Sequence, residues 1–243
     1  MKTSLPTTLI LIMSFSLSQG CAQSWSNEKV SGNGEITTKS ISTEDYDIID
    51  GIGSIDIHLE KGTEGQITVT TDDNLHEYIK VEVKDNILTL KTKKNTYLDT
   101  KTGIHMTVPF EAISKVALTG SGNIETKDII AANKFNASVV GSGDVVLTVE
   151  ASKVQADITG SGEINLSGST SYLEVDLTGS GDFSGFNLDS QNTTVSVSGS
   201  GDAKVVAKEN LVARVNGSGD IIYKGDPNKR DIKTNGSGDI SSY

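Results

Sequence analysis

The sequence predicts an all-β fold, a parallel β-solenoid or β-helix whose coils hold about 19 residues and are marked by Gly-Ser-Gly bends. The first observation is a Gly-Ser-Gly triplet that recurs through the second half of the chain at intervals of 18 to 21 residues. A repeat of this length is typical of solenoids, in which each unit stacks only on its neighbours. The triplets begin at Gly120, Gly141, Gly160, Gly179, Gly199, Gly217 and Gly236.

The second observation is the alternation of apolar and polar residues on both sides of each triplet. The positions four before and four after the first glycine are apolar in every repeat, and the position two before is apolar in all but Thr234. Alternation with a period of two indicates strands with one buried face. Because glycine can turn sharply without a Cβ penalty, each repeat is expected to form a strand, a bend and a second strand.

The residue composition favours stacked aliphatic ladders over a helical repeat. Glycine costs about 1 kcal/mol against alanine inside a helix, and every repeat carries at least two glycines. β-branched residues fill many of the predicted core positions, which suits a pleated ladder. Aromatic residues make up only 5% of the 243 residues, so a conventional large globular core is not expected.

The charge and the cysteine count exclude several classes of function. The net charge is −11, and an acidic surface repels nucleic-acid phosphates and bare anionic lipid alike. A single cysteine allows neither a disulfide framework nor a cysteine-based zinc site. The glycines also lack the spacing of a phosphate loop or a dinucleotide fingerprint.

Residues 1–20 are predicted to be a lipoprotein-type export signal. The apolar run at 5–17 is too short to span a bilayer and is followed by small residues. The sole cysteine, Cys21, ends a segment similar to a bacterial lipobox, although Leu17 stands one residue earlier than in that pattern. Acylation of Cys21 would tether the chain to the outer membrane, on its periplasmic or cell-surface face. The alternative is an ordinary signal peptide whose cleavage leaves a free thiol.

After the signal, residues 21–29 are expected to be a tether and residues 30–243 a single solenoid domain. Gly32–Ile36 resembles the later glycine signature, and a similar copy opens at Gly51. We therefore expect the coils to begin near residue 30.

Residues 58–119 interrupt the regular pattern with shorter alternating segments. A hairpin is predicted across Asp85-Asn86, a good pair for a tight turn, and a polar surface loop at 91–101. The length of this block would accommodate about three decorated coils before the triplet at Gly120.

The order of these segments resembles the putative auto-transporter adhesin head GIN domain family. The resemblance rests on Gly51-Ile-Gly-Ser-Ile-Asp-Ile, the strand pairs after it and the Gly-Ser-Gly-Asp series, and it runs from Tyr46 to the C-terminus. It implies a right-handed single-chain parallel β-helix, often in predicted bacterial lipoproteins. The family has no established function and no established catalytic residues, so the resemblance assigns none here.

An acidic residue follows six of the seven triplets and is the main candidate for binding chemistry. Carboxylates stacked about 5 Å apart repel each other unless something compensates, and Ca²⁺ is one such compensation. The alternative, which we favour, is that each carboxylate accepts backbone N–H bonds in its own bend. The acidic row consists of Asp144, Glu163, Asp182, Asp202, Asp220 and Asp239. No other cofactor is expected.

The sequence shows no catalytic constellation. The three histidines, His58, His76 and His105, have no ligand-like spacing and are expected to be ordinary surface or strand residues. An enzyme acting on polysaccharide would need a local departure from the repeat, which only residues 58–119 offer. Tyr78 and Tyr97 are the tyrosines of that block that could stack on a sugar.

The sequence therefore predicts an exported, lipid-anchored, non-catalytic β-solenoid with an adhesive or structural role in the cell envelope. A glycan or a protein is the expected partner, and the membrane is contacted through the lipid alone. The alternatives are a polysaccharide-acting enzyme on a β-helix and a Ca²⁺-stabilised structural repeat.

Overall fold

A computed structural model describes residues 28–243 of the chain. The predicted export signal, Cys21 and most of the predicted tether lie outside the described residues, so these assignments stay predictions. Among residues 28–243, no helix is long and apolar enough to cross a bilayer. The described chain is almost entirely β-structure.

The strands fall into an irregular N-terminal group and a regular C-terminal group. The first group contains β1 (Glu28–Ser31), β2 (Ile36–Ser42), β3 (Ile48–Gly53), β4 (Asp56–Lys61), β5 (Gln66–Asp72), a 3₁₀ helix (Asp73–Tyr78), β6 (Ile79–Lys84), β7 (Ile87–Thr92), β8 (Thr96–Asp99) and β9 (His105–Phe110). The second contains β10 (Lys115–Gly120), β11 (Asn123–Gly141), β12 (Asp144–Gly160), β13 (Glu163–Gly179), β14 (Asp182–Gly199), β15 (Ala203–Val206), β16 (Asn210–Gly217), β17 (Ile221–Lys224), β18 (Lys229–Gly236) and β19 (Ile240–Ser242).

From β10 onward, successive coils pair in parallel and keep equivalent positions opposite each other, which confirms the predicted β-solenoid. Val116 lies opposite Ala137, and Ala137 lies opposite Ala156. All three side chains are fully buried. The alternating apolar positions thus form continuous ladders, and each coil buries its core against the next.

The Gly-Ser-Gly bends stack as closely as the strands do. The first glycines of the seven triplets have φ between 122° and 141°, a region that L side chains rarely adopt. A Cβ on any of them would lie between 2.0 and 2.3 Å from the carbonyl oxygen of the glycine beneath it. That oxygen accepts the serine N–H of the next coil, as from Ser142 to Gly120 at 2.8 Å. Glycine is therefore required both by conformation and by space.

The register of the glycine signature at Gly51 differs from the prediction. Gly53 lies opposite Gly120 and Gly51 lies opposite Leu118, so the predicted alignment is wrong by two residues. Gly53 has φ of 116° and makes the bend. A Cβ on Gly51 would lie 2.7 Å from Cδ1 of Ile57, so Gly51 leaves room for a buried side chain instead.

Residues 62–114 do not form coils between Gly51 and Gly120, contrary to the prediction. β3 pairs directly with β10, and Ile48 lies opposite Lys115. The intervening chain packs on the other side of β3 and β4, where β7 and β9 run parallel to them. It therefore caps the N-terminal end of the stack. The hairpin predicted across Asp85-Asn86 is confirmed, because β6 and β7 pair antiparallel around that turn.

The coils also do not begin near residue 30. β2 pairs antiparallel with β5, and β1 pairs with β8 in a separate two-stranded sheet. β8 lies within the segment that was predicted to be a loop at 91–101. We refer to residues 28–47 and 62–114 as the N-terminal cap.

The C-terminal coil carries polar residues where earlier coils are apolar. Arg230 stacks on Leu211 and Thr234 on Val215, at positions that point into the core elsewhere. Arg230 Nη1 lies 3.3 Å from the hydroxyl of Tyr223, so its side chain extends over the last core layer. A polar terminal repeat of this kind protects the open end of a solenoid.

Candidate functional site

The acidic row lies along the solenoid immediately after the bends, and most of its residues are exposed. Four of its carboxylates accept a backbone N–H from the equivalent residue one coil later. Asp144 accepts from Glu163 at 3.1 Å, and Asp220 accepts from Asp239 at 2.8 Å. Asp182 and Asp202 accept in the same way from Asp202 and Asp220.

The acidic row therefore links neighbouring coils, whereas the sequence predicted bonds within each bend. A charged acceptor makes a stronger hydrogen bond to a backbone N–H than a neutral one does. Among residues 28–243, no group of three or more histidine, cysteine, aspartate or glutamate side chains could hold a metal ion. Calcium binding by the row stays the alternative that the sequence leaves open.

A groove opens where β4 and β11 separate. The two strands pair only from Asp56 to His58, opposite Asn123 to Glu125. β11 then bulges, and its register with β12 resumes at Ile129. β4 meanwhile continues beside β9 as far as Lys61. The resulting space, which we call the β4–β11 groove, has a volume of about 680 Å³.

The bulge that forms one wall of the groove is held by specific hydrogen bonds. Lys61 N–H donates to the Asp128 carboxylate at 2.8 Å, so a side chain replaces the missing strand partner. Asp128 N–H donates to the Thr126 hydroxyl at 2.9 Å. Thr126 is buried, with 7% exposure. The opening between the strands is therefore a built feature of the fold.

Two histidines lie side by side where β4 and β11 begin to separate. The rings of His58 and His105 stack with their centroids 5.8 Å apart, because β4 and β9 are neighbours. His58 Nδ1 lies 2.9 Å from the Glu125 carboxylate, and His105 Nδ1 lies 3.7 Å from that of Asp56. Each imidazole thus has its own carboxylate. The third histidine, His76, lies in the cap and contacts Thr37.

The histidine pair could not be found from the sequence, because the two residues meet only through strand pairing. Asp56 and His58 alternate along β4 and therefore share a face, and His105 has the same orientation on β9. Only the knowledge that Asp56 lies opposite His105 brings the three together. Sequence spacing within one strand contains no such information.

The groove combines charged, polar and apolar side chains. Its lining includes the basic Lys61 and Lys127, the acidic Glu60 and the hydroxyl-bearing Thr107. Val146 adds an apolar surface that is 46% exposed. Such a surface can donate and accept hydrogen bonds and also contact an apolar face of a ligand.

The His58–Glu125 pair at the groove is open to solvent. The Glu125 and His58 side chains are 58% and 39% exposed, so water reaches both. The Asp128 carboxylate is engaged by the Lys61 backbone.

Aromatic side chains lie elsewhere than the groove. Lys224 Nζ sits 4.1 Å from the ring centroid of Phe186 and 4.6 Å from that of Tyr243. Of the two tyrosines in residues 58–119, Tyr97 is 57% exposed on β8, and the ring of Tyr78 lies under Lys93 Nζ. These contacts are cation–π pairs within the chain.

Comparisons with known proteins agree with this fold. Residues 45–227 match the family described as putative auto-transporter adhesin, head GIN domain. A crystal structure of a putative adhesin from Parabacteroides distasonis ATCC 8503 is similar at 29% identity, with a TM-score of 0.73, and the match covers 89% of this chain and 100% of that chain. A comparison with curated proteins finds no match.

Two further solved structures share the architecture. A putative lipid binding protein from Parabacteroides distasonis ATCC 8503 is 27% identical with a TM-score of 0.74, over 89% of this chain and 100% of that chain. A putative adhesin from Bacteroides fragilis NCTC 9343 reaches a TM-score of 0.81 at 23% identity, over 88% of this chain and 100% of that chain. At that identity the likeness shows the fold alone.

Proposed function

The chain belongs to the family of putative auto-transporter adhesin head GIN domains, and we propose that it is a non-catalytic binding module of the bacterial cell envelope. In this proposal Cys21 carries a lipid that anchors the chain in the outer membrane, and the solenoid presents the β4–β11 groove to a glycan or a protein segment. The family match and the predicted export signal support the exported location.

The observation that carries the proposal is the break in the ladder at the groove. Other neighbouring coils pair over long continuous stretches, as β12 and β13 do from Asp144 to Gly160. Here β4 and β11 separate, and Asp128 holds them apart through the Lys61 N–H. A fixed concave surface with charged groups and one exposed apolar side chain is suited to a polar ligand.

The chemistry of the lining favours a ligand with many hydroxyl or amide groups. Glu60 and Glu125 can accept hydrogen bonds, whereas Lys127 and Lys61 can donate them. Val146 can pack against the apolar face of a sugar ring or a small side chain. Because these groups are partly exposed, each contact is weak, and affinity would come from several contacts together.

The test is a glycan array together with a protein pull-down, using the chain from Ala22 onward. Binding is expected to fall about threefold to tenfold in Glu125→Gln and in Lys127→Ala, since each removes roughly 0.7–1.4 kcal/mol of polar contact. Glu150→Gln on β12, exposed outside the groove, is the matched control. Circular dichroism melting confirms that each variant is folded.

Either of two results would reject the groove as the binding site. One is the absence of any glycan or protein partner above background. The other is a partner whose binding is the same in the groove variants and in wild type. Degradation of a polysaccharide by wild type, lost in Glu125→Gln, would instead support the enzyme alternative.

The lipid anchor is tested separately in cells. Radiolabelled palmitate is expected to label the wild-type chain but not Cys21→Ser, and the wild-type chain is expected in the outer-membrane fraction. An unlabelled wild-type chain would exclude lipidation at Cys21 and leave the groove proposal untouched.

A further inference from the structure

The outward face of the strands that precede the bends carries an ordered series of charges. At the third position before each first glycine, consecutive coils present Asp157, Asp176, Ser196, Arg214 and Lys233. These positions lie directly opposite each other in the ladder. The row is therefore negative on one side of Ser196 and positive on the other. Asp176 and Arg214 each lie one coil from Ser196, and Asp157 and Lys233 each lie two coils from it.

Two copies of this row have complementary charges when one copy runs in the opposite direction to the other. A two-fold rotation about an axis along β14 reverses the order of the coils and keeps the direction of the strands. Asp176 of one copy then faces Arg214 of the other, Asp157 faces Lys233, and Ser196 faces itself. We propose that this face is the interface of a two-fold symmetric dimer of this chain, distinct from the β4–β11 groove.

The centre of the face permits close approach. Thr194, Ser196 and Ser198 alternate along β14 with the buried Val195 and Val197, so the axis runs past small hydroxyl side chains. Two-fold symmetry is also the commonest symmetry of protein dimers, and it requires a self-complementary surface.

The acidic half of the row is unfavourable in a single chain. Burial and the neighbouring Glu174 and Asp157 carboxylates raise the pKa of Asp176 above its usual range. A cation from a partner would relieve this repulsion, and the opposing charge in the proposed dimer is Arg214.

The basic half is held in place for such a contact. Arg214 Nη1 donates to the Asp231 carbonyl at 2.6 Å, and its Nη2 pairs with the Asp231 carboxylate. A guanidinium has five N–H donors, so it can bind a second carboxylate while keeping these bonds. Beside it, a groove of about 450 Å³ runs between Arg214, Asn216 and Lys233 and can receive the side chains of the opposing coil.

The outer rows of the face add no pair of opposite charges to this arrangement, since Glu174 would face Val212 and Asp231 would face Gln155. The row nearer the bends, from Thr159 through Ser198 to Asn235, is uncharged. Lys153 would face Lys229 at the rim, but it already pairs with Glu174 at 2.6 Å. Packed sheets cross at about 30°, so rim contacts drift apart while the pair next to the axis is kept. Asp176 with Arg214 is therefore the decisive contact.

The size of the face predicts a weak, salt-dependent dimer. Five coils at about 4.8 Å and six residues at about 3.3 Å give roughly 480 Å² per copy. This is below the roughly 800 Å² per partner of a standard stable interface. Charge pairs in so small an interface stay close to solvent, so they are screened as salt rises.

The first experiment is sedimentation equilibrium of the chain from Ala22, which keeps the entire described core. At low salt the average mass is expected to rise with concentration toward twice that of one chain, and high salt is expected to reverse this. Asp176→Arg and Arg214→Asp are each expected to give monomers. The double variant Asp176→Arg/Arg214→Asp is expected to restore the dimer. Glu150→Arg and Lys204→Glu, exposed on other faces, are charge-matched controls.

Cross-linking locates the axis independently. The chain from Ala22 contains no cysteine, so Ser196→Cys introduces a single thiol. A short bis-maleimide is expected to join two Ser196→Cys chains, whereas Ser169→Cys on β13, away from the axis, stays uncoupled. A monomer at every concentration in low salt would overturn the proposal. So would a dimer that the single charge reversals leave intact, or a folded double variant that does not re-form it.

Discussion

The regular coils and the N-terminal cap satisfy their backbone groups in different ways. In the coils, most backbone N–H groups donate to a carbonyl of the neighbouring coil, as Ser161 does to Gly141 at 2.8 Å. The acidic row adds one carboxylate acceptor at the same place in four coils. In the cap, carboxylate side chains accept backbone N–H groups at positions that do not repeat. Glu64 accepts the N–H groups of Tyr46 and Glu111, and Asp72 accepts that of Gly34. A repeated structure can therefore use the same residue types at every bend, whereas an irregular one needs a different acceptor at each unpaired backbone group.

The largest expected effect compares the same substitution in the two regions. Gly160→Ala should destabilise the protein by at least about 3 kcal/mol, because its φ of 122° and a Cβ only 2.3 Å from the Gly141 oxygen both oppose a side chain. Gly34→Ala in the cap should cost only about 1–2 kcal/mol, since its φ is 82° but no atom lies within 4 Å of the added Cβ. Urea unfolding measures both. Equal losses of stability in the two variants would show that crowding between coils is not the reason why glycine is needed at the bends.

The next effect removes an acceptor from the cap. Glu64→Ala leaves two backbone donors without their carboxylate and should cost about 2 kcal/mol in urea unfolding. Glu77→Ala, an exposed residue of the 3₁₀ helix, is the control and should change stability little. A loss of similar size in both variants would mean that the bridging position of Glu64 is not what matters.

A third prediction concerns acid and the cap. Hydrogen bonds from the Thr100 hydroxyl and the Gly34 N–H lower the pKa of Asp72. A carboxyl whose pKa is lower in the folded state stabilises the fold above its unfolded pKa of about 3.9, and this stabilisation is lost as pH falls through the folded pKa. The protection factor of the amides around Gly34, which is the intrinsic exchange rate at each pH divided by the observed rate, should therefore fall on acidification below about pH 4.

The Asp72→Asn variant serves as the comparison for that measurement. Its protection factor at Gly34 should already be lower at neutral pH and should show less additional change on acidification. An acid-dependent fall in protection of the same size in both proteins would assign the effect to another carboxyl.

The smallest expected effect concerns the acidic row of the coils. Because four of its carboxylates already accept N–H bonds from the next coil, the melting temperature should be the same with Ca²⁺ and with a chelator. A clear drop in the melting temperature on chelation would contradict this and support calcium as a structural ligand.

The sequence predicted the coils better than the cap, because the contacts of the coils repeat and those of the cap do not. Periodicity identified the strands and the bends from Gly120 onward, because every coil obeys the same spacing. It failed at Gly51, where two glycines fit the pattern and only packing against Ile57 selects Gly53 as the bend. It failed again at Gly32–Ile36, where the glycines serve to surround the Asp72 carboxylate.

The candidate site could be predicted only in part. The sequence identified residues 58–119 as the place where a cleft could form. The β4–β11 groove takes one wall from that block, at His58 to Lys61, whereas its other wall, at Glu125 to Asp128, lies outside it. It could not bring His58 and His105 together, nor pair Lys61 with Asp128, because those contacts join segments whose pairing has no period.

By itself, the sequence determined that this chain is a stack of coils with Gly-Ser-Gly bends and aliphatic ladders. Local rules suffice for that result, since glycine conformation and strand alternation repeat in every unit. The tertiary structure decided where the stack begins, how the cap folds onto β3 and β4, and which side chains meet in the groove and on the charged face. Those outcomes depend on contacts between residues far apart in the chain, and only packing selects among the pairings that the local pattern allows.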